Sequence, residues 1–290
     1  MAFNWSTFWT RAFTALIFVA VMMFGLLYNQ WSLLLLLSAI YVGCWWEYCL
    51  LIEKITNCTI HSYVKLGGGL LGYHLLLFFT GDYLTLAGYG IKSNFSLPFL
   101  IAGMVLLVLG IFKMKLVTKR LLLWLSGGIV YTALPLALLL NIAMQQEPAH
   151  ISLKQHAVLF IFGSLWINDT MAYLSGSVIG KTPLSKISPK KTWEGTISGI
   201  ILSAALTWLL YSLIFLQKVE WSLAALGITI SCIAAIAGTF GDLFESKLKR
   251  MAGVKDSGRI MPGHGGFLDR FDSVLFAAPA VWLLLKALSF

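Results

Sequence analysis

Apolar runs recur along this chain from end to end, several of them close to the roughly 20 residues that a helix needs to cross a hydrocarbon core. They lie near residues 11–28, 31–52, 66–80, 97–112, 121–144, 157–175, 196–216, 222–241 and 271–288. Little chain remains between them for a separate soluble domain. The sequence therefore predicts an all-α polytopic integral membrane protein of about nine transmembrane helices. Composition agrees: 59% of the residues are hydrophobic and only 11% charged, against about 25% charged in soluble domains. The third run is short and opens with Gly67-Gly68-Gly69, and the fourth is barely long enough to span. The first run leaves through Tyr28-Asn29-Gln30-Trp31, which offers no small-residue cleavage site, and is expected to be retained as a helix.

The formal net charge is +9. In a membrane protein lysine and arginine collect in cytoplasmic loops, so this excess predicts an orientation and no nucleic-acid partner. With the N-terminus cytoplasmic, 17 of the 21 basic residues lie inside and only Lys92, Lys154, Lys218 and Lys286 lie outside. The same arrangement puts both large polar loops, 176–195 and 242–270, on the cytoplasmic face. The basic stretch from Lys113 to Arg120 belongs to this orientation signal. Cys44, Cys49, Cys58 and Cys232 make no CxxC pair and read as packing residues.

The chain changes character at about residue 150. Residues 1–150 read as a plain N-terminal transmembrane bundle, and 151–290 as a C-terminal catalytic region in which acids, lysines and glycines crowd into the two loops. Phosphoryl and nucleotidyl transfer need carboxylates for a divalent metal, cations for the phosphates, and backbone N–H groups free to approach closely. The last 50 or so residues hold all three.

If the eighth span continues as helix past Gly241, Asp242, Glu245, Ser246 and Lys249 share one face. Asp269 and Asp272 stand one turn apart at the start of the ninth span, placed to clamp a magnesium ion with Asp242 across from them. The alternative is a solvated ionic loop in which these acids pair with Lys249, Arg250 and Arg270. Gly258, Pro262, Gly263, Gly265 and Gly266 allow the backbone to turn its N–H groups inward as an anion nest. His264 within it is a phosphate donor, an acid or base, or a hydrogen bond that holds the turn.

In the other loop, Ser188 as N-cap and Pro189 at the first helical position predict the start of the seventh helix. Lys190 and Lys191 then stand at its positive dipole end, a setting that attracts phosphate, with Lys181 and Lys186 nearby. Glu194 complements the dipole. Asp169 interrupts the run from Leu159 to Leu174, where a carboxylate is costly, and is expected as a metal ligand or hydrogen-bond partner. Glu47, amid Trp45, Trp46 and Tyr48, is expected as an interfacial residue outside the site. Gly195, Gly199 and Ser203 predict close helix packing.

These residues resemble a known family. Ser246-x-Leu-Lys-Arg, then Lys255-Asp-x-Gly, then Pro262-x-His-Gly-Gly-x-x-Asp-Arg-x-Asp272 is similar to the signature of the phosphatidate cytidylyltransferases, or CDP-diglyceride synthases. Asn168-Asp-Thr-x-Ala-Tyr173, Gly176, Gly180-Lys181 and Ser188-Pro-Lys-Lys-Thr-Trp-Glu-Gly195 resemble the family's other shared block. The N-terminal half matches only in hydropathy, and Met261 stands where the family more usually carries Leu, Ile or Phe.

The resemblance implies that CTP and phosphatidic acid are condensed to CDP-diacylglycerol and pyrophosphate with Mg2+, and with a second, monovalent cation such as K+. It implies metal binding at Asp242 and Asp269, with Asp272 close by. The resulting expectation takes Asp242, Asp269, Asp272, Lys191 and Lys255 as catalytic, and Asp242, Asp269, Asp272 and Asp169 as metal ligands. Substrate contacts are expected from Lys181, Ser188, Lys190, Lys191, Thr192, Lys249, Arg250, Lys255, Asp256, Gly263, His264, Gly265, Gly266 and Arg270. The expected setting is a bacterial inner (plasma) membrane among membrane lipids, compatible with a homodimer, the site facing the cytoplasm. A polyprenol kinase using the same metal and phosphate logic, or an ion-coupled transporter, are the alternatives.

Overall fold

A computed structural model describes residues 5–114, 117–144, 153–215, 221–258 and 265–288. Among them are nine α-helices: α1 (Trp5–Leu27), α2 (Gln30–Thr56), α3 (Ser62–Phe79), α4 (Ser96–Lys113), α5 (Lys119–Met144), α6 (Leu153–Ile179), α7 (Trp193–Phe215), α8 (Trp221–Met251) and α9 (Leu268–Ala287). Each apolar run of the sequence is met by one of them. Six helical stretches are long and apolar enough to cross a membrane: Gln30–Thr56, Ile91–Lys113, Lys119–Met144, His156–Ile179, Trp193–Leu213 and Ala224–Met251.

The fourth run gains its length from a π-helical turn, Ile91–Phe95, that leads directly into α4. On α4, Leu97, Ile101, Val105 and Leu109 recur at a spacing of four and are all exposed. Such a stripe suits contact with lipid and would be costly in water. Helices α1, α3 and α9 are not among the six, α1 contributing only the shorter apolar stretch Phe13–Leu27. The first turn and a half of α9 carries Asp269, Arg270 and Asp272, which lowers its apolar character.

The chain divides by packing into two compact units, residues 1–140 with 248–271, and residues 141–247 with 272–290. The change at about residue 150 in the sequence is one of chemical character; in packing, segment 248–271 goes with the N-terminal helices. In the first unit α3 and α4 touch backbone to backbone. A Cβ on Gly67 would lie 2.6 Å from the Leu107 nitrogen, and one on Gly103 2.9 Å from that of Leu71. In the second unit α6 and α7 approach in the same way. A Cβ on Gly195 would lie 2.7 Å from the Ala172 carbonyl oxygen, so the small-residue series read from the sequence serves packing.

Candidate functional site

In the second unit, α7 starts later than the sequence predicts. Ser188 does not cap it; residues 182–193 form a hairpin-like loop, with Leu184 N–H donating to the Lys191 carbonyl at 2.7 Å and Trp193 N–H to that of Thr182 at 2.9 Å. At the loop's tip the Lys191 N–H donates to the Ser188 carbonyl at 3.1 Å, so Ser188 and Pro189 occupy the first two places of a β-turn. Serine followed by proline favours that turn as well as a helix start, and the cross-loop bonds decide between them. The cap is Thr192, whose Oγ1 accepts from the Gly195 N–H at 3.2 Å. Glu194 does more than complement the dipole: its carboxylate accepts the backbone N–H groups of Lys181 and Thr182 at 3.1–3.2 Å and ties the loop's first strand to the helix.

This loop delivers Lys191 onto Asp242. The Lys191 ammonium and the Asp242 carboxylate form an ion pair, each side chain 28% exposed. On the other side of Asp242 the chain is drawn close to α9. Gly241 abuts the backbone carbonyl of Asp272, leaving no room for a side chain there. Asp272 is buried and accepts the N–H of Ser273 at 2.6 Å. The charges that act on it are those of Asp242, Asp169 and Lys191. Ser246 Oγ reaches Asp242 Oδ1 at 3.2 Å, one turn along α8, as the shared helix face predicts.

Glu245 is buried, whereas Asp242 and Lys249 remain partly open. Asp169 is exposed on α6; the residue buried there is its neighbour Asn168, 4% exposed, whose Oδ1 has no hydrogen-bond partner among the described residues.

The first unit carries a second cluster, organised by a residue that sequence reasoning left out. Glu47 does not face outward, as a residue among interfacial aromatics would: it is 1% exposed. Its neighbours one turn away on α2, Cys44 and Leu51, are also buried, so the helical period places it on the inner face. Its carboxylate accepts the Ser257 hydroxyl at 2.7 Å, the Phe267 N–H at 3.0 Å and the Leu268 N–H at 2.9 Å. Asp269 is held from the same loop. Its Oδ2 accepts the N–H groups of Ser257 and Gly266, both at 2.9 Å, and its Oδ1 accepts the Lys249 ammonium at 2.7 Å.

Gly265 has the positive φ, +86°, that a nest allows. The inward N–H groups of residues 266–268 are nevertheless taken by the protein's own carboxylates, Asp269 and Glu47. A side chain at Gly258 or Gly266 would run into Glu47, which accounts for both glycines by close approach. Lys255 and Asp256 are exposed and, with Leu50, Glu53, Lys54 and Ser257, line a cavity of about 630 Å³. Lys181, Lys190 and Arg250 are exposed, as is Arg270, which edges an apolar groove formed with α1 and α2. Gly263 and His264 lie outside the described residues.

Both clusters set carboxylates against lysines beside closely packed backbone, an arrangement suited to holding phosphate groups and a hard cation. Among the described residues no three His, Cys, Asp or Glu side chains converge into a ready-made metal cage. A sequence model described as "Cytidylyltransferase family" matches residues 9–288, which includes the N-terminal half. The phosphatidate cytidylyltransferase of Staphylococcus aureus (strain COL) is 48% identical over 131 residues, 45% of this chain and 49% of that protein. That of Staphylococcus saprophyticus is 46% identical over 132 residues, again 45% and 49%. The chloroplastic phosphatidate cytidylyltransferase 4 of Arabidopsis thaliana is 44% identical over 138 residues, 48% of this chain and 34% of that protein. The chain thus spans about half the length, or less, of the curated relatives it matches.

Proposed function

This chain belongs to the cytidylyltransferase family, and from that premise we propose that it condenses CTP with phosphatidic acid to give CDP-diacylglycerol and pyrophosphate in phospholipid synthesis. A phosphate oxygen of the lipid attacks the α-phosphorus of CTP, and the bond from that phosphorus to the oxygen it shares with the β-phosphate breaks, so that this oxygen leaves as a terminal oxygen of pyrophosphate. The observation that carries the reading is the ion pair between Lys191 of the loop before α7 and Asp242 of α8, beside buried Asp272 of α9, all within the matched residues. Lys191, partly exposed at the loop's end, is placed to swing from Asp242 to a phosphate and offset charge on the leaving group.

Mg2+ fits the donor set. Asp242 and Asp272 offer oxygen ligands, Asp169 adds negative charge within range, and magnesium usually binds through one or two carboxylates plus substrate phosphates. Bound there it would neutralise the developing pyrophosphate. Asp269, with Lys249 on it, is the further carboxylate that the resemblance ties to metal, and a monovalent cation such as K+ is proposed alongside.

The 17 to 4 asymmetry of basic residues supports a cytoplasmic placement of the polar loops, where CTP is available, in a plasma membrane. The family match favours this reading over a polyprenol kinase or an ion-coupled transporter. Incubating the purified protein with labelled CTP, phosphatidic acid and Mg2+ tests it: label should pass into a lipid-soluble product that depends on all three. Transfer of label from γ-labelled CTP to a prenol, or none to lipid, would refute it.

A further inference from the structure

We infer that Glu47, in transmembrane helix α2, is a positioning residue that sets the carboxylate of Asp269 through Ser257. The role of Asp269 rests on the function proposed above; the placement of Glu47 does not. Ser257 supplies one donor to each carboxylate, its hydroxyl to Glu47 at 2.7 Å and its backbone N–H to Asp269 at 2.9 Å. Its Oγ also lies 3.0 Å from Asp269 Oδ2, so the two acids share one hydroxyl.

Glu47 also takes the N–H groups of Phe267 and Leu268, where α9 begins and where unpaired amide donors and the helix dipole favour an anion. Asp269 follows in the first turn of that helix. One buried carboxylate thus fixes both the loop residue that grips Asp269 and the helix end that carries it. Glu47 occupies the amide donors that a glycine-rich turn would otherwise offer to a substrate phosphate. The packing is specific: Gly43, one turn before Glu47, leaves space for the Phe267 ring, and Gly258 and Gly266 leave space for the carboxylate itself.

A carboxylate held among several donors is worth more than its shape, because each charge-assisted bond is stronger than a neutral one. Glutamine at position 47 keeps the volume but turns an NH2 group toward at least one N–H donor, and so must break a contact.

The test uses the full chain in detergent or nanodiscs. Glu47→Gln should raise amide exchange at Ser257 and at Gly266 to Leu268 by at least tenfold while α5 and α6 keep their protection. In the same variant kcat with CTP and phosphatidic acid should fall at least tenfold and the Mg2+ concentration for half-maximal rate should rise, with KM for CTP changing less than threefold. Ser257→Ala, which removes the shared hydroxyl and leaves Glu47 in place, should shift the Mg2+ requirement in the same direction by a smaller factor. Unchanged exchange in Glu47→Gln overturns the inference, as does unchanged kcat in a parent protein that is active. Protection lost throughout the molecule, together with a Ser257→Ala variant indistinguishable from the parent, overturns it too. A parent that makes no CDP-diacylglycerol refutes the proposed activity instead, and the exchange experiment still decides the placement of Glu47.

Discussion

Lys249 donates to Asp269 across 2.7 Å, with the two side chains only 15% and 12% exposed. An ion pair so far withdrawn from water stabilises little by its mere presence, but losing one partner leaves the other charge buried and uncompensated. Asp269→Asn should therefore cost about 2–3 kcal/mol of stability, besides lowering turnover by roughly two orders of magnitude, the scale of losing one charge-stabilising group. Lys249→Met should cost a similar amount of stability. The double variant should cost less than the sum of the two, since no stranded charge remains. Thermal midpoints of the four proteins check the stability cycle, and CDP-diacylglycerol formation checks the catalytic part.

The glycines around Glu47 give a prediction of opposite signs. Alanine at Gly266 or Gly258 would push into the Glu47 carboxylate, and overpacking of this kind costs about 1–3 kcal/mol. Gly127, inside α5, faces open space, and a methyl group added there would meet nothing within 4 Å. There alanine should gain about 0.5–1 kcal/mol from helix propensity and reduced unfolded-state entropy. Unfolding midpoints should fall for the first two variants and hold or rise for the third.

Helices were legible in the sequence because a bilayer demands long apolar runs, and each run became one helix. The start of α7 was not, because Ser188-Pro189 suits a β-turn as well as a helix cap and only the bonds across the loop choose. Glu47 was missed for a different reason. It is separated from Ser257 by 210 residues, and no local pattern announces a partner so distant. One signal was present: a carboxylate on the same helical face as Cys44 and Leu51 has to find donors or stay out of the core. The loop lysines and acids were legible as chemistry, but that Lys191 meets Asp242 and Lys249 meets Asp269 follows from the packing of the helices and loops that carry them.

The shifted helix start is itself testable. Thr192 accepts the Gly195 N–H, so Thr192→Ala should cost about 1 kcal/mol, the usual loss for a cap. Ser188 contributes its carbonyl to the turn, which alanine retains, and Ser188→Ala should change stability by less than about 0.5 kcal/mol. Equal losses from both would contradict the observed cap.

Orientation has an independent check. In a background lacking Cys44, Cys49, Cys58 and Cys232, a cysteine at exposed Lys186 should react with an impermeant thiol reagent only after the cytoplasmic side is opened. Labelling of intact cells would reverse the topology and remove the loop from the side where CTP is found.

Adjacent lysines at the tip of the second-unit loop should behave differently. Lys191 is 28% exposed and engaged with Asp242, whereas Lys190 is exposed. If Lys191 moves between Asp242 and a substrate phosphate, Lys191→Gln removes a charge-assisted contact of roughly 1.5–3 kcal/mol from a partly dehydrated site. Catalytic efficiency should then fall at least tenfold, while Lys190→Gln stays within threefold because solvent screens its charge. The magnesium dependence gives the second readout. Lys191 competes with a cation for Asp242, so its loss should leave the Mg2+ requirement unchanged or lower it. Asp242→Asn removes a ligand and should raise that requirement. Titrating Mg2+ against initial rate for the three variants measures both effects. A higher Mg2+ requirement in Lys191→Gln, or equal losses from the two lysines, would mean that Lys191 holds the loop in place and does not serve the phosphates.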